Sequence, residues 1–228
     1  MNFLITGAGR GIGLELTQFA LEAGHNVYAI VRNPENARTL NTVKSDHAEK
    51  LIIFKGDVSS ETDLQAINDE LGDTPIDVVI NNAGVMLDGD EDFSKLTQEQ
   101  LIDTFKVNTF APILVTQVFL PQLKKSTNAK VINITSRMGS ISDNSSGGHY
   151  AYRMSKAALN MFSKSFAIDF PQVITLTLHP GWVKTEMGGA QAPLLPRESA
   201  RGLFKVITEA DTTKSGHFLD YQGKEIGW

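Results

Sequence analysis

Cysteine is absent from this 228-residue chain, and its absence excludes several kinds of chemistry. Without a thiol the chain can form no disulfide, bind no metal through thiolates and use no cysteine nucleophile. No stretch approaches the roughly 18 apolar residues that a membrane span needs. The opening MNFLITGAG also lacks the basic segment and the longer apolar segment of a signal peptide. We therefore expect a soluble, cytoplasmic protein.

An excess of positive charge is lacking as well. Lysine and arginine number 21 against 26 aspartates and glutamates, which gives a formal net charge of −5. A mildly acidic chain has no general attraction for nucleic acid or anionic membranes. The histidines show no ligand spacing, so no metal site is expected, and the G-x-S-x-G elbow of a serine hydrolase is missing. The acidic stretch Asp88–Asp92 is interpreted as a solvated loop.

The chain does contain short apolar runs that alternate with longer amphipathic segments. Seven runs predict strands: FLIT (3–6), NVYAIV (26–31), KLIIF (50–54), IDVVIN (76–81), KVINIT (130–135), VITLTL (173–178) and HFLD (217–220). Continuously apolar runs of this kind are typical of parallel strands that are buried on both faces. Alternating strands and helices indicate an α/β, doubly wound sheet with helices on both faces.

Helical patterns lie between these runs. They cover Ile12–Ala23, a segment from Pro34, a segment opened by Ser59-Ser60-Glu61, Gln98–Leu123 and Tyr152–Phe170. The small polar stretch SDNSSGG (142–148) predicts a loop, and neither a linker nor a repeat divides the chain. We therefore expect a single domain over residues 1–228.

A glycine-rich turn, ITGAGRGIG (5–13), joins the first strand to the first helix. Glycines in such a turn let the backbone approach a pyrophosphate, which rests on the helix N-terminus. A flexible turn without a ligand is the alternative, but the strand before it and the helix after it favour a dinucleotide site. The spacing is T-G-x-x-x-G-x-G, with Thr6, Gly7, Gly11 and Gly13.

That spacing, NNAG at 81–84 and the pair Tyr152-x-x-x-Lys156 together resemble the short-chain dehydrogenase/reductase family. The motifs span most of the chain and keep the family's order. HPGWVKTEMGG (179–189) and FLDYQGKEIGW (218–228) further resemble the C-factor and sniffer-like carbonyl reductases. The resemblance implies a Rossmann-type domain that uses a nicotinamide cofactor to interconvert carbonyls and alcohols.

The resemblance also assigns roles to individual residues. The catalytic set that it implies is Ser136, Tyr152, Lys156 and Asn108. The cofactor-binding set is Gly7, Gly9, Arg10, Gly11, Ile12, Gly13, Arg32, Asp57, Val58, Asn82, Ala83, Gly84, Tyr152, Lys156, Pro180, Gly181, Val183 and Thr185. By resemblance, Asp57-Val58 contacts the adenine and the segment from Pro180 to Thr185 reaches the nicotinamide carboxamide. Asn108 holds a water that connects Lys156 to solvent, or else is a kink or capping asparagine.

Two tyrosines, Tyr150 and Tyr152, compete for the role of proton donor to the developing alkoxide. Tyrosine has an ordinary pKa of about 10, and a nearby lysine ammonium favours the phenolate. Tyr152 and Lys156 are four residues apart on one helical face, so we expect the pKa of Tyr152 to fall by about 2–3 units. Tyr150 enters the helix from the loop and is interpreted as a packing tyrosine at the rim of the site.

Ser136 ends the fifth predicted strand, at the carboxyl edge where open α/β sheets bind ligands. Its hydroxyl is expected to orient the substrate oxygen beside Tyr152. Thr135 and Ser140 are competitors, and the family's register selects Ser136. The gap from Ser136 to Tyr152 is a few residues longer than is usual in the family, and the extra length falls in 142–148.

The end of the second strand predicts NADP(H) rather than NAD(H). An NAD enzyme of this fold places an acid there to accept from the ribose hydroxyls. Val31 occupies that position and cannot accept a hydrogen bond. Arg32 follows and can pair with a 2′-phosphate, and Arg10 can approach from the glycine-rich turn.

The long helical segments predict a homodimer or a tetramer. They carry more apolar residues, such as Met161, Phe162 and Phe166, than one core-facing stripe needs. In the family the two helices pair across a two-fold axis. The alternative is that these residues pack inside the same subunit.

The function expected from the sequence is NADPH-dependent reduction of an aldehyde or ketone, or the reverse reaction. A nucleotide-binding signalling protein with little turnover, as the C-factor resemblance implies, is the alternative. The complete set of four catalytic-type residues favours the enzyme, because a pure binding module has no physical reason to keep the tyrosine–lysine pair. The patterns do not name the substrate.

Overall fold

The computed structural model describes residues 1–88 and 92–228. Its strands are β1 Asn2–Thr6, β2 Asn26–Val31, β3 Leu51–Lys55, β4 Val78–Asn81, β5 Lys130–Ile134, β6 Ile174–His179 and β7 His217–Asp220. They form a sheet in the order β3-β2-β1-β4-β5-β6-β7, and all neighbours are parallel. The seven predicted strands are therefore confirmed, β2 and β7 to the residue and the other five with boundaries shifted by one or two residues.

In residues 1–88 and 92–228, eight α-helices connect and flank these strands. They are α1 Gly11–Glu22, α2 Arg38–Asp46, α3 Glu61–Leu71, α4 Gln98–Phe105, α5 Ala111–Val118, α6 Leu120–Leu123, α7 Tyr150–Asp169 and α8 Pro196–Glu209. Ser60 caps α3 as its position suggested, because its hydroxyl accepts from the Asp63 N–H. The sequence patterns did not predict α8.

The sheet is covered on both faces, as the apolar strands predicted. Successive side chains of β1 point to opposite sides, so Phe3 and Ile5 join one core cluster while Leu4 joins the other. The first cluster includes residues of α1, α2 and α8, and the second includes residues of α3, α5 and α7. The molecule is thus a doubly wound, Rossmann-type α/β structure.

The strand order reverses direction between β1 and β4. The chain runs from β1 to β2 and β3 on one side, then returns to place β4 on the other side of β1. In open α/β sheets ligands bind in the crevice at the carboxyl ends of the strands at such a switch point. The glycine-rich turn follows β1, and Asn82 follows β4, so both lie at this crevice.

The predicted helix Gln98–Leu123 is interrupted. A π-helical turn over Lys106–Phe110 separates α4 from α5, and Phe119 separates α5 from α6. The π-turn carries Asn108, whose side chain bonds to groups outside the helix. π-turns occur frequently at functional sites.

Neither a membrane-spanning helix nor a cluster of metal ligands occurs in the described residues. In 1–88 and 92–228 no helix combines the length and the apolar character that crossing a bilayer requires. The same residues contain no group of three or more His, Asp or Glu side chains placed to hold a metal ion.

Candidate active site

The glycine-rich turn lies close against the backbone that follows β4. A Cβ at Gly13 would lie 2.4 Å from the Gly7 carbonyl oxygen and 2.5 Å from the side-chain nitrogen of Asn82, so no side chain fits there. Asn82 donates to the carbonyls of Thr6 and Gly7, at 3.0 and 3.2 Å. The Thr6 hydroxyl in turn accepts from the Asn82 N–H. These bonds fix the shape of the turn that leads into α1, and the N-terminus of a helix attracts anions.

Tyr152, Ser136 and Lys156 come together at the carboxyl edge of β5. All three are buried, and the Ser136 side chain hydrogen-bonds the Tyr152 phenol. The Lys156 ammonium lies 5.8 Å from the centre of the Tyr152 ring and donates to the Ile134 carbonyl at 3.0 Å. The structure therefore brings together three of the four residues that the family resemblance implied to be catalytic.

The expected fall in the pKa of Tyr152 is not found. Burial raises the pKa of the Tyr152 phenol to about 12; the Ser136 hydrogen bond works against this rise, and the charge of Asp88 adds to it. Burial also lowers the pKa of Lys156 to about 8. The expectation was wrong because it counted the lysine's charge and left out the loss of water around both groups.

Asn108 lies beside this set, on the π-turn. Its amide donates to the Val85 carbonyl at 2.8 Å and accepts from the Val85 N–H at 2.8 Å, which fixes the backbone after Gly84. A second donor bond reaches the Ser155 hydroxyl at 3.0 Å. A Cβ at Gly84 would lie 3.2 Å from the Asn108 oxygen and 3.5 Å from the Lys156 nitrogen. Gly84 therefore lies beside both Asn108 and Lys156, and a side chain there would press on the Asn108 oxygen.

The segment after β6 lies across the glycine-rich turn. A Cβ at Gly11 would lie 3.3 Å from the Thr185 methyl group. Gly181 has φ +86°, a left-handed conformation that favours glycine. Arg10 forms an ion pair with Glu186, the residue after Thr185. The two predicted cofactor segments are therefore neighbours, but Arg10 pairs with Glu186 in this structure.

The predicted residues at the adenosine end also gather at one place. Val31 lies 3.4 Å from the position that a Cβ at Gly9 would take, so the end of β2 meets the glycine-rich turn. Arg32 is exposed just beyond it. Burial works to raise the pKa of Asp57, but bonds from Ser59 and the charge of Arg32 outweigh it, so the pKa is lowered.

Tyr150 is the first residue of α7 and points away from the buried set. Its ring packs on Phe93 with the centroids 4.9 Å apart, and 41% of the residue is exposed. This position agrees with its interpretation as a packing tyrosine.

Three residues that the patterns did not assign to the site support it. Arg153 holds the predicted loop 142–148, because its guanidinium donates to the carbonyls of Gly147, Gly148 and Met138 and to the Ser146 hydroxyl. His179 accepts from the Arg137 N–H at 3.1 Å, and burial lowers its pKa to about 4, which keeps it neutral. These bonds join the turn after Ser136 to the segment after β6.

Asp88 is the third, and it corrects an expectation. The stretch Asp88–Asp92 was expected to be solvated, but Asp88 is buried and accepts from the N–H groups of Ala151 and Tyr152. Positions 89–91 of that stretch lie outside the described residues. Local composition could not reveal this burial, because the N–H groups involved lie some sixty positions away, at the start of α7.

Comparison with known proteins gives a consistent result. The family model described as short chain dehydrogenase matches residues 2–193. The protein named C-signal from Myxococcus xanthus is 46% identical over 160 residues, which are 68% of this chain and 93% of that one. Carbonyl reductase Sniffer of D. melanogaster superposes with a TM-score of 0.95 at 33% identity, covering 100% of this chain and 99% of that one. An NADPH-bound carbonyl reductase from chicken fatty liver gives 0.93 at 33% identity, covering 100% and 98%.

Proposed function

Because the chain belongs to the short-chain dehydrogenase family, we propose that it reduces an aldehyde or ketone to an alcohol with NADPH, or catalyses the reverse reaction. One observation carries the proposal. Ser136, Tyr152 and Lys156 are buried together beside the glycine-rich turn, with Ser136 bonded to the phenol. The solved carbonyl reductases of the same fold support the reaction class.

The residues present fit a dinucleotide. Glycines stand at positions 7, 11 and 13 of the turn, where a pyrophosphate would rest on the N-terminus of α1, and Gly84 lies beside Asn108 and Lys156. Arg32 would pair with a 2′-phosphate, and Arg10 would approach it from the glycine-rich turn. Asp57 and Val58 would contact the adenine, Asn82 to Gly84 would line the cofactor, and Pro180, Gly181, Val183 and Thr185 would hold the nicotinamide end. When bound, NADPH supplies the hydride.

The chain's own groups then move the proton. Ser136 holds the carbonyl oxygen beside Tyr152, and the Tyr152 phenol, protonated at neutral pH, donates to the oxygen as negative charge develops. Lys156 carries positive charge below pH about 8 and stabilises the phenolate that results. Asn108 keeps the backbone at Val85 in place next to Lys156.

The test is an NADPH-consumption screen across aldehydes, ketones, quinones and diketones. The proposal expects at least one carbonyl to accelerate NADPH oxidation in proportion to protein concentration. A protein that binds NADPH, seen as a change in its fluorescence, but accelerates its oxidation with none of these carbonyls would count against the enzyme.

That negative outcome would favour the second candidate function. The similarity to C-signal supports a nucleotide-binding signalling protein with little turnover. Such a protein would need the cofactor cradle but not the phenol, so its signalling would survive loss of the Tyr152 hydroxyl. Tyr152→Phe therefore separates the two functions, because it should abolish carbonyl reduction and leave signalling intact.

The direction of the reaction should depend on pH. Burial holds the pKa of Tyr152 at about 12, so the phenol is protonated through the neutral range and ready to donate. Reduction should therefore be fastest below pH about 8, where Lys156 is charged, and should decline above it. Oxidation needs the phenolate and should rise with pH. Measuring kcat in both directions from about pH 6 to about pH 10 checks this, and a reduction rate that climbs across that range would contradict it.

We also propose a homodimer, with a tetramer as a larger assembly, formed through α4, α5 and α7. Phe162 packs against the core and Phe166 is buried in it, so the within-subunit alternative holds for both. Met161 and Ile168 remain 68% exposed on one face of α7. Met161→Asp is expected to give a monomer in light scattering. Ile52→Asp, at an exposed apolar residue on edge strand β3, is the control and should leave the assembly unchanged.

A further inference from the structure

The first turn of α7 receives its hydrogen-bond acceptor from a distant part of the chain. The first N–H groups of a helix have no partner within the helix. His149, the residue before α7, has left-handed φ of 46° and its side chain makes no cap bond to the helix. Asp88, in the loop after β4, supplies the acceptor. One carboxylate oxygen accepts from Ala151 N–H at 2.6 Å, and both lie 3.2 Å from the Tyr152 nitrogen.

This contact is enclosed. Asp88 is 3% exposed, and its backbone carbonyl lies 3.0 Å from a ring nitrogen of His149. A buried carboxylate is costly unless donors surround it, and the positive end of a helix dipole favours it further. Loss of the carboxylate would leave two buried N–H groups without a partner. The Asp88 carboxylate therefore fixes the backbone of Tyr152 itself, one turn before Lys156.

We propose that Asp88 is a positioning residue for proton transfer, whose carboxylate fixes the turn that carries Tyr152 and so aims the phenol at Ser136 and the substrate oxygen. The inference rests on the function proposed above. Asp88 touches neither substrate nor cofactor in this role, and it acts through the backbone of Tyr152.

The charge of Asp88 has a separate effect that makes the role measurable. Among the described residues, the polar and charged groups around Tyr152 include Ser136 just after β5, Lys156 on α7 and Asp88 in the loop after β4. After burial and the opposing Ser136 bond, the negative charge of Asp88 contributes to the raised pKa of the phenol. Asp88→Asn keeps the shape and one acceptor oxygen but removes the charge. The pKa of Tyr152 should then fall.

The Asp88→Asn enzyme should show two changes. Its kcat for reduction should fall roughly 5- to 50-fold, because one buried N–H loses its charged acceptor, while NADPH affinity stays within about twofold. In the oxidation direction, the rise of rate with pH should move to lower pH by about 0.3–1 unit. Loss of stability alone would not move that curve. Asp88→Glu keeps the charge but displaces it, so its kcat should fall without the pH shift.

Asp77→Asn is the matched control. Asp77 is a half-buried carboxylate at the opposite end of β4, where it accepts from the Asn2 N–H at 2.7 Å and from the Ser126 hydroxyl at 2.6 Å. This variant should lower the melting temperature without changing the pH curve. Amide hydrogen exchange adds a readout that needs no turnover: Ala151 and Tyr152 should lose protection in Asp88→Asn and keep it in Asp77→Asn.

The outcomes distinguish the positioning role of Asp88 from the proposed carbonyl-reducing function. Faster exchange at Ala151 and Tyr152, with a lower kcat and the shifted pH curve, supports the positioning role. Unchanged exchange, unchanged kcat or an unshifted pH curve in a folded Asp88→Asn protein overturns it. If the wild-type protein turns over no carbonyl, the proposed function falls by itself, and the exchange measurement alone decides whether Asp88 fixes this turn. If Asp88→Asn does not fold, Asp88→Glu decides: wild-type kcat in that variant overturns the role.

Discussion

Tyr152→Phe is expected to lower kcat for carbonyl reduction by about 10²- to 10⁴-fold, the usual worth of a general acid. The substitution removes one oxygen and keeps the ring, which is buried against the same neighbours. The phenol's hydrogen bond with Ser136 is lost, but the Tyr152 N–H still bonds to Asp88. NADPH affinity and the melting temperature should therefore stay close to those of the wild-type protein. Steady-state kinetics with one good carbonyl substrate, together with fluorescence titration of NADPH, provides the measurement.

Tyr150→Phe is the control for this prediction. Tyr150 lies two residues away on the same helix, but its ring packs on Phe93 at the surface. Its loss of a hydroxyl should change kcat little, and any effect should appear in the KM of the substrate. A folded Tyr150→Phe enzyme without activity, or a Tyr152→Phe enzyme with nearly wild-type kcat, would overturn the assignment.

Lys156→Ala should lower kcat and weaken NADPH binding together, because we expect Lys156 to hold the nicotinamide ribose as well.

Arg32→Ala is expected to remove a preference for NADPH over NADH of roughly 10- to 150-fold, the range for a charge-assisted hydrogen bond. Arg32 is exposed beyond the end of β2, and its charge helps to lower the pKa of Asp57. Val31, where an NAD enzyme would carry an acid, is buried against the glycine-rich turn. The KM for NADPH should rise far more than the KM for NADH, and both are measured with the same carbonyl.

A matched control tests whether any exposed arginine has this effect. Arg201 on α8 lies over the Phe19 ring, so Arg201→Ala removes a surface guanidinium that contacts a different part of the chain. Its ratio of NADPH to NADH efficiency should equal that of the wild-type protein. A wild-type enzyme with equal or better kcat/KM for NADH would show that the preference was assigned wrongly.

The sequence predicted the sheet well, because a buried parallel strand is recognisable from its own residues. NVYAIV and HFLD matched β2 and β7 to the residue, and the other strands differed only at their ends. Helix α8 was missed although its signals are local. Pro196 starts the helix, and Glu198 accepts from the Leu195 N–H as in a capping box. Proline occurs both in turns and at helix starts, so Pro193 and Pro196 do not by themselves distinguish a loop from a helix.

The parts of the site that could not be predicted depend on contacts between distant residues. Asp88 looked solvated in an acidic stretch, and only the position of α7 shows why it is buried. The break at Asn108 depends on bonds to Val85 and Ser155, from two other parts of the chain. The raised pKa of Tyr152 follows from burial, which no spacing of tyrosine and lysine reveals.

The π-turn at Lys106–Phe110 has a consequence for protein engineering. A π-turn accommodates one residue more than a regular α-helical turn and has a less favourable backbone. A chain with a regular helix here would gain thermal stability, and it would rotate the Asn108 amide away from its present contacts. Thermal stability and turnover therefore favour different backbone conformations at this segment. A directed-evolution campaign that selects only for survival at high temperature will favour regular helices here and lose active clones.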